Sequence, residues 1–274
     1  MTIFFIMFII GLVSSMLGSL VGLGGGLIFV PALLFLSNFF DDFSWVTPQT
    51  AVAMSLLIMI FNGLSSTLTY LRGKRVDIKS GLIFLIGSIP GGILGVYFNQ
   101  FFPSDVFEFY FGITILFLSG MLILKKRAVN QSTIREAEQK RFHIYRTVNI
   151  NGQQISYSYS IILGVAFAVV VGMLSGLFGI GGGALMVTVM IAFFSFPVHI
   201  ASATSMFMIF VSSVTTSGAH IFAGNVVWLY ALGSVPGAWI GGMFGAMLNQ
   251  RLESNIVEWV LRIMLMAIGL QLIF

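Results

Sequence analysis

The sequence predicts an all-α integral membrane protein made of two inverted-topology repeats of about five hydrophobic segments each, with short or interrupted helices at the glycine-rich motifs. Three observations carry that prediction. Of the 274 residues, 58% are hydrophobic and only 8% charged, whereas a soluble domain carries about a quarter charged residues. Apolar stretches able to cover a hydrocarbon core of roughly 30 Å recur along the whole chain. A block of five segments, marked by glycine motifs, occurs twice in the same order.

The first block runs through Ile3 to Val21, Gly25 to Phe39, Ala51 to Leu71, Gly81 to Phe98 and Val106 to Leu124. The second runs through Ser160 to Phe178, Gly182 to Phe196, Ala201 to Phe222, Val226 to Met247 and Ile256 to Phe274. Helices are predicted throughout, because a lipid-facing segment must satisfy its own backbone polar groups, and the alternation of a membrane barrel is lacking. Ile3 to Val21 has no basic leader and runs straight into a glycine motif, so it reads as a first span rather than a cleaved signal peptide. Segments two and seven are too short to cross the core without tilt or thinning.

Residues 1–124 form the first transmembrane repeat and 160–274 the second; 125–159 is a polar, cytoplasmic linker. The linker carries Lys125, Lys126, Arg127, Arg135, Lys140, Arg141 and Arg146. It reads as a solvated tether, with Gln131 to Arg146 as a candidate surface helix capped by Thr133 and Glu136.

The duplication rests on four matches. Met16 to Gly26 reappears as Met173 to Gly183, and Ala51, Ala53 and Ser55 recur as Ala201, Ala203 and Ser205. Gly87-Ser88-Ile89-Pro90-Gly91 recurs as Gly233-Ser234-Val235-Pro236-Gly237, and Glu108 as Glu258. Lys and Arg in short loops favour the cytoplasmic face, which places the loop with Arg72, Lys74, Arg75 and Lys79 and the linker together inside. Asp41, Asp42 and Asp105 then fall outside, Arg251 inside, and both termini outside. Five is odd, so the second repeat is upside down, an arrangement typical of secondary transporters with substrate held near the midplane.

Each short segment begins at a glycine triplet. The proposal from sequence is that the preceding helix stops there, the backbone unwinds, and a half-helix begins inside the membrane with free N–H groups. Such an end attracts anions, and glycine lets a ligand approach the main chain. The predicted substrate-binding residues are Gly22, Gly24, Gly25 and Gly26 with Gly179, Gly181, Gly182 and Gly183. Hydroxyls of Ser19, Ser55, Ser175, Thr204 and Ser205 are candidate donors. Pro90-Gly91 and Pro236-Gly237 are candidate breaks in segments four and nine that line the same cavity. Small residues in membrane helices also mark close packing, and for any single serine here packing is the preferred reading.

Ionisable residues in spans are few. Glu258 and Arg262 lie four apart and are expected to pair on one helix face. His220, matching Tyr70, is the candidate titrating group for proton coupling, against the plainer reading of a solvated interfacial histidine.

With Gly-Leu-Gly-Gly-Gly at Gly22, Gly-Ile-Gly-Gly-Gly at Gly179, Ala203-Thr204-Ser205 and the Pro-Gly pairs in place, the sequence resembles the sulfite exporter TauE/SafE family over nearly its whole length. That resemblance implies a cell-membrane transporter, exporting sulfite or an organosulfonate. The first repeat has Met54 where the second has Thr204, which departs from a shared hydroxyl role.

The competing readings are an anion channel and a non-transporting membrane scaffold subunit. An enzyme is not expected, because metal-hydrolase and nucleophile-elbow spacings are missing and the three histidines are scattered. There are no cysteines, so disulfides and thiolate chemistry are excluded, and no cofactor is expected. The expected partners are a small anionic substrate, the lipid bilayer and protons as coupling ion, with a homodimer as candidate assembly; nucleic acid is not among them, since the basic residues sit in loops.

Overall fold

The computed structural model describes residues 2–101, 104–124, 143–150 and 153–272. Helices α1 (Thr2–Val21), α2 (Gly26–Phe39), α3 (Pro48–Arg72), α4 (Ile78–Asn99) and α5 (Ser104–Leu124) make up the first half. Strands β1 (His143–Ile150) and β2 (Gln153–Ser160) form an antiparallel hairpin. Helices α6 (Ile161–Phe178), α7 (Ala184–Ala192), α8 (Val198–Phe222), α9 (Trp228–Arg251) and α10 (Ser254–Gln271) follow.

Among the described residues, α1, α3, α4, α6, α8, α9 and α10 are long and apolar enough to cross a membrane. Their ends follow from local chemistry. Thr47 caps α3 in a reciprocal box with Thr50, with Pro48 at the first helical position, where a missing N–H costs nothing. Asp77 caps α4 by accepting from the Ser80 amide. α7 covers only nine residues, shorter than the segment ending at Phe196; Ser195 adopts a left-handed φ of 55° and Pro197 precedes α8, so the chain turns there.

α3 and α8 are the most buried spans and pack on one another. Around them α1 packs on α9, α4 on α6 and α5 on α10. Two of these contacts are glycine seams. Methyl groups on Gly237, Gly241 and Gly245 would run into the backbone of α1 at Phe8, Leu12 and Met16, and on Gly87, Gly91 and Gly95 into α6 at Val165, Val169 and Met173. Residue numbers rise together across both seams, so α1 runs parallel to α9 and α4 parallel to α6. Glycine at every fourth position lets backbones touch, and dispersion over the close contact holds the helices together where lipid offers no hydrophobic drive.

α2 folds back along α1. Gly25 lies against Ser14 and Ser15, and Ile10 and Ile28 near the bend share a groove of about 360 Å³ with Ile6 and Leu36 further from it. The α1–α2 pair is thus a helical hairpin with its tip at Gly22–Gly25.

Two expectations are corrected here. Pro90 and Pro236 do not break their helices: α4 and α9 are continuous through them, both prolines are outward-facing, and Gly91 and Gly237 lie in the seams. Proline removes one backbone hydrogen bond and crowds the carbonyl four residues earlier, but a transmembrane helix packed along its neighbour tolerates that local loss and runs on. The linker is also more than a solvated tether. His143 to Ser160 form the β-hairpin, whose Tyr157 hydroxyl donates to Asp77 Oδ2 at 2.9 Å and whose Tyr159 hydroxyl donates to Ser80 Oγ at 2.8 Å. Arg146 lies 3.6 Å from the same Asp77 carboxylate, and Tyr157 and Tyr159 stack among Phe84, Phe194 and Phe196. Tyrosines alternating along β2 place two rings on one face, and those rings anchor the linker to the start of α4. Thr133, Glu136 and most of the candidate surface helix lie outside the described residues; its last residues, 143–146, belong to β1.

Candidate functional site at the two glycine turns

α1 ends at Val21 and α2 begins at Gly26; between them Gly22, Gly24 and Gly25 have φ of 86°, 76° and 82°. α6 ends at Phe178, and Gly179 and Gly181 have φ of 74° and 73° before α7 begins. These left-handed conformations are open to glycine and strained for other residues. The Leu23 and Gly24 amides close back onto the Gly18 carbonyl, and the Gly179 and Ile180 amides onto the Ser175 carbonyl. Neither Gly25 nor Gly183 provides a side-chain cap for the half-helix that follows, so the first amides of α2 and α7 are not satisfied by their capping residue.

The two turns touch. A methyl on Gly26 would lie 2.5 Å from the Gly179 carbonyl oxygen, and all residues from Gly22 to Gly26 and from Gly179 to Gly183 are buried. Each half holds the other's turn by matched bonds. Ser55 Oγ donates to Gly179 O at 2.6 Å and Ser205 Oγ donates to Gly22 O at 2.7 Å. Asn99 Nδ2 donates to Leu177 O at 2.7 Å, and Asn249 Nδ2 donates to Leu20 O at 2.6 Å. Met59 and Ile209, equivalent in the two repeats, sit against Gly24 and Gly181. Helix ends, hydroxyls and amides therefore meet at the crossing of α3 and α8; the hydrogen bonds to the turns come from Ser and Asn, and among the described residues none comes from a charged side chain.

The predicted residues divide. The eight glycines, Ser55 and Ser205 converge as expected. Ser19 is adjacent, but its hydroxyl is committed to Asn62 Oδ1 at 2.7 Å and to Ser66 Oγ at 2.6 Å. Ser175 is buried with an unpartnered hydroxyl. Thr204 is turned elsewhere: its Oγ1 accepts from the Asp77 amide at 3.0 Å and steadies the α3–α4 loop, so it is not at the turns. Pro90, Gly91, Pro236 and Gly237 are in the outer seams. Asn62, which donates to Gly24 O at 2.7 Å, and Met59 were not expected; extending the match of Ser55 with Ser205 along α3 and α8 would have aligned them with Ser212 and Ile209.

Glu258 and Arg262 pair as expected, and the guanidinium also lies over the Trp259 ring. His220 is buried rather than solvated, with Nδ1 at 3.3 Å from Asn225 Nδ2. Where β1–β2 meets the α3–α4 loop, Lys74, Arg75, Lys79 and Arg146 line a surface pocket of about 330 Å³. Burial pushes the Tyr159 phenol up to about 12 and raises Tyr157 further, and burial lowers Arg75. No group of metal-ligating side chains occurs among the described residues.

Residues 7–272 match the sulfite exporter TauE/SafE family. The chain is 48% identical over 272 residues to the probable membrane transporter protein YunE of Bacillus subtilis (strain 168), covering 99% of this chain and 97% of that one. It is 28% identical to a probable membrane transporter protein of Methanocaldococcus jannaschii, covering 96% and 91%. It is 26% identical to the probable membrane transporter protein YdhB of Bacillus subtilis, covering all of both chains. No solved structure matches.

Proposed function

The chain belongs to the sulfite exporter TauE/SafE family, and from that premise we propose that it is a secondary transporter, an exporter of sulfite or an organosulfonate, working by alternating access between inverted halves. The observation that carries this reading is the meeting of two uncapped half-helix N-termini in the buried centre, where amide dipoles supply positive potential with no basic side chain. Such a site favours a small anion without holding it as tightly as an arginine would, which suits release on the far side.

Inversion is supported by the direction of the seams. Each hairpin enters and leaves on one face, so α3, α4 and α5 carry the chain across three times and the second hairpin enters from the opposite face. α1 then runs parallel to α9, and α4 to α6, as the glycine contacts require. The Asp77 bonds to Tyr157 and Arg146 tie the linker to the basic α3–α4 loop, which supports one cytoplasmic face for both and outside positions for the termini in a multi-pass cell-membrane protein. The serine and asparagine bonds across the centre are neutral and individually weak, so they can exchange for bonds to a ligand as the halves rock.

The test is reconstitution into liposomes with sulfite, sulfoacetate, sulfate and acetate, with and without a pH gradient. Saturable flux of one of these anions is expected, with a pH-gradient response if protons are coupled. Absence of saturable flux across the panel refutes the transporter reading; large unsaturating conductance would assign a channel instead.

A further inference from the structure

The two glycine turns share left-handed residues at Gly22 and Gly179 and at Gly24 and Gly181, but they differ at Gly25, which is left-handed where Gly182 is not, and in the side chains around them. Aligning the repeats through Ser55 and Ser205 sets Asn62 against Ser212 and Gly63 against Ser213; the Gly-Ser-x-Pro-Gly motif sets Ser234 against Ser88. Around the first turn every one of these positions is settled within the protein. Asn62 donates to Gly24 O and accepts from Ser19 Oγ and Ser66 Oγ, the latter at 3.2 Å. Ser66 Oγ also lies 3.0 Å from Gly242 O, so its one proton is shared between the two acceptors. Ser234 bonds back to Tyr230 O and Ala231 O at 3.3 and 3.2 Å, and Gly63 packs against the Phe210 backbone.

Around the second turn the same positions are unsettled. Ser88 Oγ and Ser213 Oγ are fully buried with no partner, and Ser212 Oγ reaches only its own helix, at Ile209 O, 3.4 Å away. All three face the glycines: a Cβ on Gly182 would lie 2.8 Å from Ser212 Oγ and 3.4 Å from Ser88 Oγ, and one on Gly181 would lie 3.3 Å from Ser213 Oγ. Thr67 and Ser217, also equivalent, both lack partners, so they do not separate the halves. A buried hydroxyl without a partner is unfavourable, and more so in a bilayer core. Two such hydroxyls, Ser88 and Ser213, with the weakly bonded Ser212 beside them on one turn and next to an uncapped half-helix, call for an acceptor.

We propose that Ser88, Ser212 and Ser213, around Gly181 and Gly182, form the single hydroxyl subsite that receives the oxygens of a small oxyanion, and that this subsite selects oxyanions over halides. The proposal rests on the transporter reading above and deepens it. An oxyanion spreads its charge over several oxygens and can accept from all three hydroxyls at once, while its net charge is met by the amides of the turn. A halide offers one acceptor centre, which does not match donors that are spread over the separate oxygens of an oxyanion. At the first turn Asn62 closes the network onto Ser19 and Ser66, which leaves one buried hydroxyl beside Gly25, that of Ser15, without a partner, against the cluster at the second turn.

The test uses the purified full-length chain, with sulfite as probe and chloride as competitor, in proteoliposomes and in detergent. Ser88→Ala and Ser213→Ala are each expected to raise the KM for sulfite by about ten- to a hundredfold, as for one lost hydrogen bond to a charged acceptor, and to lower the preference for sulfite over chloride. Ser234→Ala, the equivalent of the first, leaves both unchanged. In detergent, the rise in melting temperature on adding sulfite is expected in wild type and reduced in the two subsite variants. Wild-type KM in both subsite variants, or an equal loss in Ser234→Ala, overturns the proposal. Sulfite-dependent stabilisation that needs Ser88 and Ser213, without flux in wild type, sinks the transporter reading and leaves the subsite standing; neither stabilisation nor flux sinks both.

Discussion

Replacing Gly26 with alanine adds one methyl at the closest approach of the two hairpins. That carbon would lie 2.5 Å from the Gly179 carbonyl oxygen, against 3.4 Å for ordinary contact, so the turns must part by about 0.9 Å. The Met59 methyl and Ser55 hydroxyl that also meet the new carbon can rotate away; the carbonyl is fixed by the left-handed turn at Gly179. Overpacking of this size costs about 1–3 kcal/mol, and loss of the Ser55 bond to Gly179 O about 0.5–1.5 kcal/mol more. A total of about 1.5–4.5 kcal/mol lowers the population of the closed centre roughly 10- to 1,600-fold. If transport passes through that closed arrangement, flux falls by a comparable factor, while insertion, set by hydropathy, is unchanged. The assay is sulfite flux in proteoliposomes, with size-exclusion chromatography to establish that the variant is folded. Wild-type flux in a well-folded Gly26→Ala protein would refute the reasoning, because it would mean that contact between the turns is not part of the cycle.

Bulky substitution of Gly25 or Gly182, such as Gly182→Leu, is expected to abolish flux with insertion retained, since Gly25 requires φ of 82° and the Gly182 position faces Ser212 and Ser88; flux in both variants counts against the glycine site. Gly95→Ala or Gly176→Ala should lower the melting temperature in detergent, because each methyl meets backbone across the α4–α6 seam, whereas Gly218→Ala meets nothing within 4 Å and should be neutral. Asp77→Asn removes the charge that receives Arg146 and weakens the acceptor for Tyr157, so amide exchange in residues 153–160 should quicken; an unchanged exchange rate would show that the aromatic stack alone docks the hairpin. The folded-state phenol of Tyr159 sits near 12, above its ordinary 10.0. A raised acid pKa means the folded form holds its proton longer, so hairpin docking is complete below about pH 10 and weakens as pH climbs through 12. Exchange of Glu258 and Arg262 for glutamine together should leave the sulfite KM unchanged, because their charges answer each other on one face of α10.

Much of the fold is legible in the sequence because a bilayer permits few solutions. Apolar length and the helix requirement locate the spans to within a few residues, and repetition of the glycine motif marks the two turns before any geometry is known. Local chemistry also reaches the break itself: consecutive glycines cannot sustain a helix, and the positive φ values at Gly22, Gly24, Gly25, Gly179 and Gly181 follow from that. The Pro-Gly pairs are where local reading fails. Proline in isolation argues for a break, but Pro90 and Pro236 face outward while the glycines beside them bury against a helix from the other half. The β-hairpin is a second case of a different kind: Asn151-Gly152 between the runs 143–150 and 153–160 is a hairpin signal that the reading of a polar tether passes over, while the docking of Tyr157 and Tyr159 on Asp77 and Ser80 is tertiary.

The sequence by itself determined the solvent, the approximate positions of the helices, the duplication and the glycine turns, because these depend on hydropathy, periodicity and backbone freedom within a few residues; the early end of α7 at Ala192 was not among them. Which half each turn touches was decided only by tertiary structure. Partnering of Ser55 with Gly179 and of Ser205 with Gly22 joins residues 124 and 183 positions apart, and whether a buried serine is committed or free depends on a neighbour that no local pattern names. Packing distributes the donors between the halves, and that distribution makes two similar turns chemically different.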